Sequence, residues 1–241
     1  MLDSKPLHLS SLDPFGVGGR RLCFEHPFDE HLCVKVLRVD KDRTVRLKQS
    51  GRWKTILGRV YDNNEDERRE LDKLFKRHGA KVAEHFPKHY GYRETDLGLG
   101  LVLDLCRDYD GEVSMSVREW ITRGFGLENL REPFAVFSDF MIDRAILTKD
   151  VLDHNVVVHR ESEDRIRLVL IDGIGHSAMI PLAVWIPFVA RRKMKIKLDR
   201  AWAKFQQLEA DGGVALDLIE NSSWGQGIRY NAAINERLKS E

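Results

Sequence analysis

Lys149-Asp150-Val151-Leu152-Asp153-His154-Asn155-Val156-Val157-Val158 is the stretch on which the reading of this chain turns. An acid, four intervening residues and an amide lead into a β-branched run. About 17 residues further on, Leu168-Val169-Leu170-Ile171-Asp172-Gly173-Ile174-Gly175 ends an apolar run in an acid and glycines. Asn155–His159 and Ile166–Ile171 read as short strands joined by the polar turn Glu161–Asp164. A carboxylate after a buried strand, close to an Asn, is what holding Mg²⁺ against phosphate oxygens requires. Magnesium takes one or two protein oxygens and leaves its other positions to water and phosphate. Asp150 would then orient an attacking hydroxyl and take its proton. Taken singly, Asp153-His154-Asn155 and Asp172-Gly173 each also read as a plain turn.

Toward the N-terminus, Phe15-Gly16-Val17-Gly18-Gly19-Arg20 lies between a loop and a strand. Glycines let a backbone approach a phosphate closely and present its N–H groups. These glycines precede a strand and not a helix, so they are neither a dinucleotide nor a Walker A fingerprint, and alone they read as a tight turn. The strand His31–Leu37 carries Lys35 inside Cys-Val-Lys-Val-Leu, either on a solvated face or held for an anion. A helix follows from Asn64, with Asn63 or Asn64 as cap, acids in its first turn and Gly79 after its end. Leu71, Leu74, Phe75 and His78 form its apolar face. Glu70 lies beside that face and is placed to reach the Lys35 ammonium, with Glu67 one turn earlier as competitor.

Arg20–His26 and Leu97–Cys106 read as further strands, and residues 44–60 as a hairpin about Ser50-Gly51. Pro133–Leu147 reads as a helix burying Phe134, Phe137, Met141, Ile142 and Ala145, and Leu198, Trp202 and Phe205 mark another near the C-terminus. A β-rich front and a helical back make an α+β protein.

Composition bounds the function classes. With 241 residues the chain can bury one substantial core, and 39 Lys+Arg against 38 Asp+Glu disfavour a nucleic-acid coat or a polybasic membrane binder. No apolar run reaches the roughly 18 residues of a membrane span. Cys23, Cys33 and Cys106 are odd in number, lack C-x-x-C spacing and lie in apolar runs, so they read as core thiols of a cytoplasmic protein. His85-x-x-x-His89 has a metal-like spacing, but Pro87 interrupts the helix that would pair the two rings. The basic run Arg191–Lys197, with Arg200 and Lys204, reads first as a solvated helix face and second as a contact for an acidic partner.

Taken together, the glycine segment, Lys35, Glu70, Asp150 with Asn155, and Asp172 resemble in their order the protein-kinase-like fold. More narrowly the chain resembles the YrbL family, the PhoP regulatory network proteins of bacteria. Carrying that likeness are His26-Pro27, Cys33-Val34-Lys35-Val36, Arg68-Arg69-Glu70-Leu71, Asp172-Gly173-Ile174-Gly175-His176-Ser177 and Ile180-Pro181-Leu182-Ala183-Val184-Trp185. The resemblance implies a single two-lobed kinase-like domain over 1–241, with a β-rich N-lobe over 1–106 and a compact, mostly helical C-lobe over 107–241. It implies ATP and Mg²⁺ as cofactors. Gly16, Gly18 and Gly19 would lie over the phosphates and Lys35, held by Glu70, on them; Asn155 and Asp172 would bind the metal, and Asp150 would be the base. The acceptor would be the hydroxyl of a small molecule, sugar or protein. The alternative is a nucleotide-binding or scaffolding pseudokinase that meets a regulatory protein in a stress response. Thr148-Lys149 replaces the usual His-Arg, and Asp-Gly-Ile-Gly replaces Asp-Phe-Gly. With Pro181 so soon after Asp172, there is no room for a long peptide-holding activation segment.

Overall fold

A computed structural model of the chain describes residues 5–18, 21–38, 63–175 and 187–215. The expected hairpin at 44–60, Gly19, His176-Ser177 and Ile180–Trp185 lie outside the described residues. The described chain is α+β and groups into two compact units. One contains the described residues up to Arg69 together with His89–Asp104; the other contains Glu70–Lys88 and the described residues from Leu105 onward.

The first unit is built on an antiparallel sheet of five strands: β1 (Gly16–Val17), β2 (Arg21–His26), β3 (Asp29–Leu37), β4 (His89–Thr95) and β5 (Gly98–Asp104), in the order β1-β2-β3-β5-β4. Residues paired across antiparallel strands share a face. Phe24 pairs with Val34, and Val34 with Val102; these three pack with Leu7, Leu9, Leu32 and Val36 into the core of one face. Cys23, Lys35 and Leu101 are paired on the other face. Gly100 is required by that packing: a Cβ there would lie 2.4 Å from Val34 Cγ1. Gly16 and Val17 of the glycine segment form β1, paired with β2, and Gly18 N–H donates to the Arg21 carbonyl at 2.9 Å. Helix α1 (Asn63–His78) follows the expected boundaries closely, with Glu65 and Asp66 in its first turn and Lys76, Arg77 and His78 in its last, the signs its dipole favours.

In the second unit α2 (Val117–Thr122) and α3 (Arg131–Asp143) pack on the hairpin of β6 (Val156–Ser162) and β7 (Arg165–Leu170), and α4 (Pro187–Ala210) packs on α2 and α3. The apolar stripe of α4 buries Ala190, Met194, Leu198, Ala201, Phe205 and Leu208. Phe134 of α3 packs on Trp202 and Phe205 with ring centroids 4.8 and 5.8 Å apart. Helix α3 stops four residues short of the expected Leu147. Its end closes in a Schellman pattern: Ile146 N–H donates to the Met141 carbonyl at 2.9 Å and Ala145 N–H to that of Ile142 at 3.0 Å. Ala145 must therefore sit at φ 51°, where a Cβ is disfavoured. Ala145→Gly is expected to raise unfolding stability by about 0.5–1 kcal/mol, read as a higher urea midpoint; an unchanged or lower midpoint would contradict this account of the cap.

His85 is buried between this helix and the hairpin. Its ring lies 5.4 and 4.6 Å from those of Phe137 and Phe140, and Nδ1 donates to the Leu168 carbonyl at 2.7 Å. Burial lowers its pKa below the ordinary imidazole value, as it does for His159. With the folded pKa below the unfolded one, the unfolded chain binds more protons as pH falls. Stability is thus full above the unfolded value of about 6.5 and is lost as pH drops from there through the folded value. Urea midpoints measured at neutral and mildly acidic pH should show this fall, and His85→Gln should make it shallower.

Candidate functional site

Lys35 stands on the sheet face that meets the first turns of α1, and this decides its surroundings. The α1 side chains on that face are Asn64 and Glu67, both buried. Lys35 Nζ donates to Glu67 Oε1 at 2.8 Å, Arg21 donates to Glu67 Oε2, and the Asn64 amide donates to the Lys35 carbonyl at 2.8 Å. Two cations thus converge on one buried carboxylate. The expectation that Glu70 holds Lys35 is corrected: the partner is Glu67. Glu70 lies three residues further along the helix and points elsewhere, accepting from Lys73 at 2.7 Å. Its side chain also abuts Gly175, where a Cβ would come within 2.6 Å of Glu70 Cγ. The signal for Glu67 was present, since stepping back from Leu71 by four and by seven residues lands on Glu67 and Asn64. Asn64, one of the two residues expected as the helix cap, therefore directs its amide to the sheet.

In the second unit, the segments around Asp150 and Asp172 run side by side. Thr148 forms a bridge with Ile174, Lys149 N–H donates to the Gly173 carbonyl at 2.8 Å, and Ile171 N–H donates to the Asn155 carbonyl at 2.9 Å. Asp150, Asn155 and Asp172 are thereby gathered about Gly173. That residue has φ 75°, and a Cβ on it would lie 2.9 Å from the Asp150 carbonyl oxygen and 3.3 Å from Asn155 Nδ2. Only a glycine allows this approach. Asp150 and Asp172 are exposed, and Asp172 Oδ1 accepts from Gly173 N–H at 2.6 Å.

Three residues have supporting roles that the sequence reading did not assign, Lys197 among them having been read as part of a solvated helix face. Arg118 of α2 makes a two-pronged ion pair with Asp153, at 2.7 and 2.9 Å, and also reaches His154 Nδ1 at 2.9 Å. Burial opposes ionisation of Asp153, but the hydrogen bonds of His154 and Arg118 hold its carboxyl well below the usual carboxylate range. Asp153 is thus an anchor for the loop that carries Asp150 and Asn155. Helix α2 had a legible signal in Ser116-Val117-Arg118-Glu119, and Ser116 Oγ indeed accepts from Glu119 N–H at 3.2 Å. The second residue is Lys197 of α4, whose ammonium donates to the Thr148 carbonyl at 2.5 Å and also to that of Lys149, immediately before Asp150. Burial lowers the Lys197 pKa, the Asp150 carboxylate counters this, and Lys193 adds to the fall. The third is Asp108, buried in the connector after β5, which accepts from Ser114 Oγ, from Arg160 N–H at 2.9 Å and from Arg160 Nε at 2.6 Å.

No group of three or more His, Cys, Asp or Glu side chains able to hold a metal occurs among the described residues. A magnesium site of one amide and one carboxylate oxygen needs no such group. Asn155 and Asp172 supply hard oxygen donors, and the backbone bond between Ile171 and Asn155 sets them side by side. Among the described residues no helix is long and apolar enough to cross a membrane.

Two curated relatives, both called uncharacterized protein YrbL, come from Escherichia coli K12 and Shigella flexneri. Each is 28 % identical over 204 residues, which is 83 % of this chain and 86 % of the relative. Among solved structures, the chain is similar to the kinase domain of PF14_0431, with a TM-score of 0.40, 17 % identity and 65 % of this chain covered. It is also similar to Rad53 1-466 in complex with AMP-PNP, with a TM-score of 0.45, 12 % identity and 87 % of this chain covered. The chain spans about half of each of those structures, 47 % and 56 %. The sequence profile described as PhoP regulatory network protein YrbL matches residues 7–207, from the segment ahead of β1 to the last turn of α4. The chain therefore belongs to the PhoP regulatory network protein YrbL family.

Proposed function

We propose that this chain is a single kinase-like domain that binds ATP with Mg²⁺ and transfers a phosphoryl group to an alcohol. The observation that carries the reading is the convergence of Asp150, Asn155 and Asp172 about Gly173, built from loops well separated in sequence. Bound MgATP would supply the transferable phosphoryl group. Asn155 and Asp172 would hold the metal through their side-chain oxygens, and the Lys35 ammonium, set by Glu67, would neutralise phosphate charge. Gly16, Gly18 and Gly19, lacking Cβ atoms, would let the backbone come close to the phosphates. Asp150 is exposed, as a base that must meet an incoming hydroxyl has to be, and it would take the hydroxyl proton. Lys197 and the Arg118–Asp153 pair act through the backbone, keeping the loop on both sides of Asp150 in one conformation. Catalysis of this kind rests on positioning and charge neutralisation.

The departures at Thr148-Lys149 and Asp172-Gly173-Ile174 favour a second reading, a nucleotide-binding pseudokinase that acts by contact with a regulatory protein. Thermal unfolding with and without ATP and Mg²⁺ separates the possibilities. ATP with Mg²⁺ at about 100 times its Kd should stabilise the fold by about 2.7 kcal/mol, and Asp172→Ala should abolish the metal-dependent part. Mass-spectrometric detection of phosphate on the protein or on an added alcohol supports transfer. Stabilisation without transfer selects the pseudokinase, and no response to ATP excludes both readings.

A further inference from the structure

Helix α4 (Pro187–Ala210) turns one face into the second unit and leaves the opposite face in solvent. At 100° per residue, the line directly opposite the buried stripe runs through Phe188, Arg192, Ile196, Arg200 and Ala203. Phe188 is 72 % exposed and Ile196 is 40 % exposed. Lys193 and Lys204 border this line on one side and Lys195 on the other, all exposed, and one exposed acid, Asp199, stands on the same face and pairs with Lys195 at 3.3 Å. The helix holds seven of the chain's 39 cations and two of its 38 acids, which leaves the remainder of the chain at net −4. Lys197 is turned inward to the Thr148 and Lys149 carbonyls and Arg191 to that of Asp143, so the near-neutral total conceals a local excess of positive charge, five cations against Asp199, displayed around an exposed aromatic and an exposed aliphatic side chain.

We infer that the outer face of α4 docks on membrane surfaces rich in anionic phospholipid. Cations beside an apolar line are the chemistry of the lipid interface. Phe188 and Ile196 can enter the headgroup and acyl boundary while Arg192, Arg200 and the flanking lysines remain among the phosphates. A polyanion in solution, such as nucleic acid, would engage the same cations but would leave Phe188 and Ile196 against water. The helix face is also convex and needs no groove on the partner, as a bilayer provides none. This inference is independent of the phosphotransferase reading.

Flotation of the full chain with phosphatidylcholine vesicles carrying one-third phosphatidylglycerol tests it. At low salt these vesicles are expected to bind at least about tenfold more tightly than pure phosphatidylcholine. The double variant Arg192→Glu/Arg200→Glu should lose at least about tenfold of that binding, with its circular dichroism and melting temperature unchanged because both side chains face solvent. Phe188→Ser should lose several-fold, and that loss should persist when salt has screened the charges. Equal binding to both vesicles, full retention by the double variant, or a preference for a DNA oligonucleotide or polyglutamate over the anionic vesicles would overturn the inference.

Discussion

Glu67→Ala is expected to lose about 3–5 kcal/mol of unfolding stability, because it leaves Lys35 and Arg21 buried without the carboxylate they share. Their side chains are 8 % exposed and that of Glu67 is 5 % exposed, so water is in no position to take over. Glu70→Ala is the contrasting variant. Its ion pair with Lys73 is a surface i,i+3 contact, and its loss should cost about 1 kcal/mol or less. Urea titration of the two variants beside the parent reads the difference directly. Equal effects, or a larger effect for Glu70→Ala, would mean that Glu67 is not the partner that sets Lys35. ATP-dependent stabilisation follows the same order under the proposed function, since an unset Lys35 presents no fixed charge to phosphate.

The second large effect separates two neighbouring acids. Asp153→Ala leaves the Arg118 guanidinium in a site where both side chains are nearly buried, and a loss of about 3–5 kcal/mol is expected. The carboxyl of Asp153 is held below its ordinary range, so its contribution is present above the unfolded pKa of about 3.9 and disappears as pH falls through the folded value. Asp150→Asn should leave stability within about 0.5 kcal/mol of the parent, as exposed substitutions usually do. If Asp150 is the base, the same change should lower phosphoryl transfer by about 10²–10⁴-fold. An Asp150→Asn protein with parental transfer would remove Asp150 from the mechanism. An Asp153→Ala protein of parental stability would remove the ion pair from the fold.

The outcomes at Glu67 and Asp153 also mark where sequence reasoning reached its limit. Strands β2, β3 and β5, helix α1, the start of α3 and the β6–β7 hairpin were legible within a few residues, and α4 as a helical stretch without bounds, because each has its own hydrophobic period and turn chemistry. Strand β4 was not assigned: His89-Tyr90-Gly91-Tyr92-Arg93-Glu94-Thr95 has little apolar alternation and is held in place by pairing with β5. The end of α3 was missed because Ala145 occupies a left-handed position that glycine usually marks. Asn155 stands directly before β6 and Asp172 just after β7, and Asp150 lies in the loop that leads to Asn155, so the set was legible from strand boundaries that can be read locally.

By itself the sequence determined the order of elements, the α+β class, the likeness to the YrbL family, and a roster of acids, amide and lysine at strand and loop positions. Periodicity and turn chemistry are local, and the fold obeys them. Only the tertiary structure decided which carboxylate meets Lys35, that Asp153 is pinned by Arg118, and that Lys197 reaches back to the carbonyls before Asp150. Those choices depend on the rotation of a helix against a sheet and on contacts 32, 35 and 49 residues apart. One helical position is a turn of about 100°, enough to move a carboxylate from a buried ammonium to the surface.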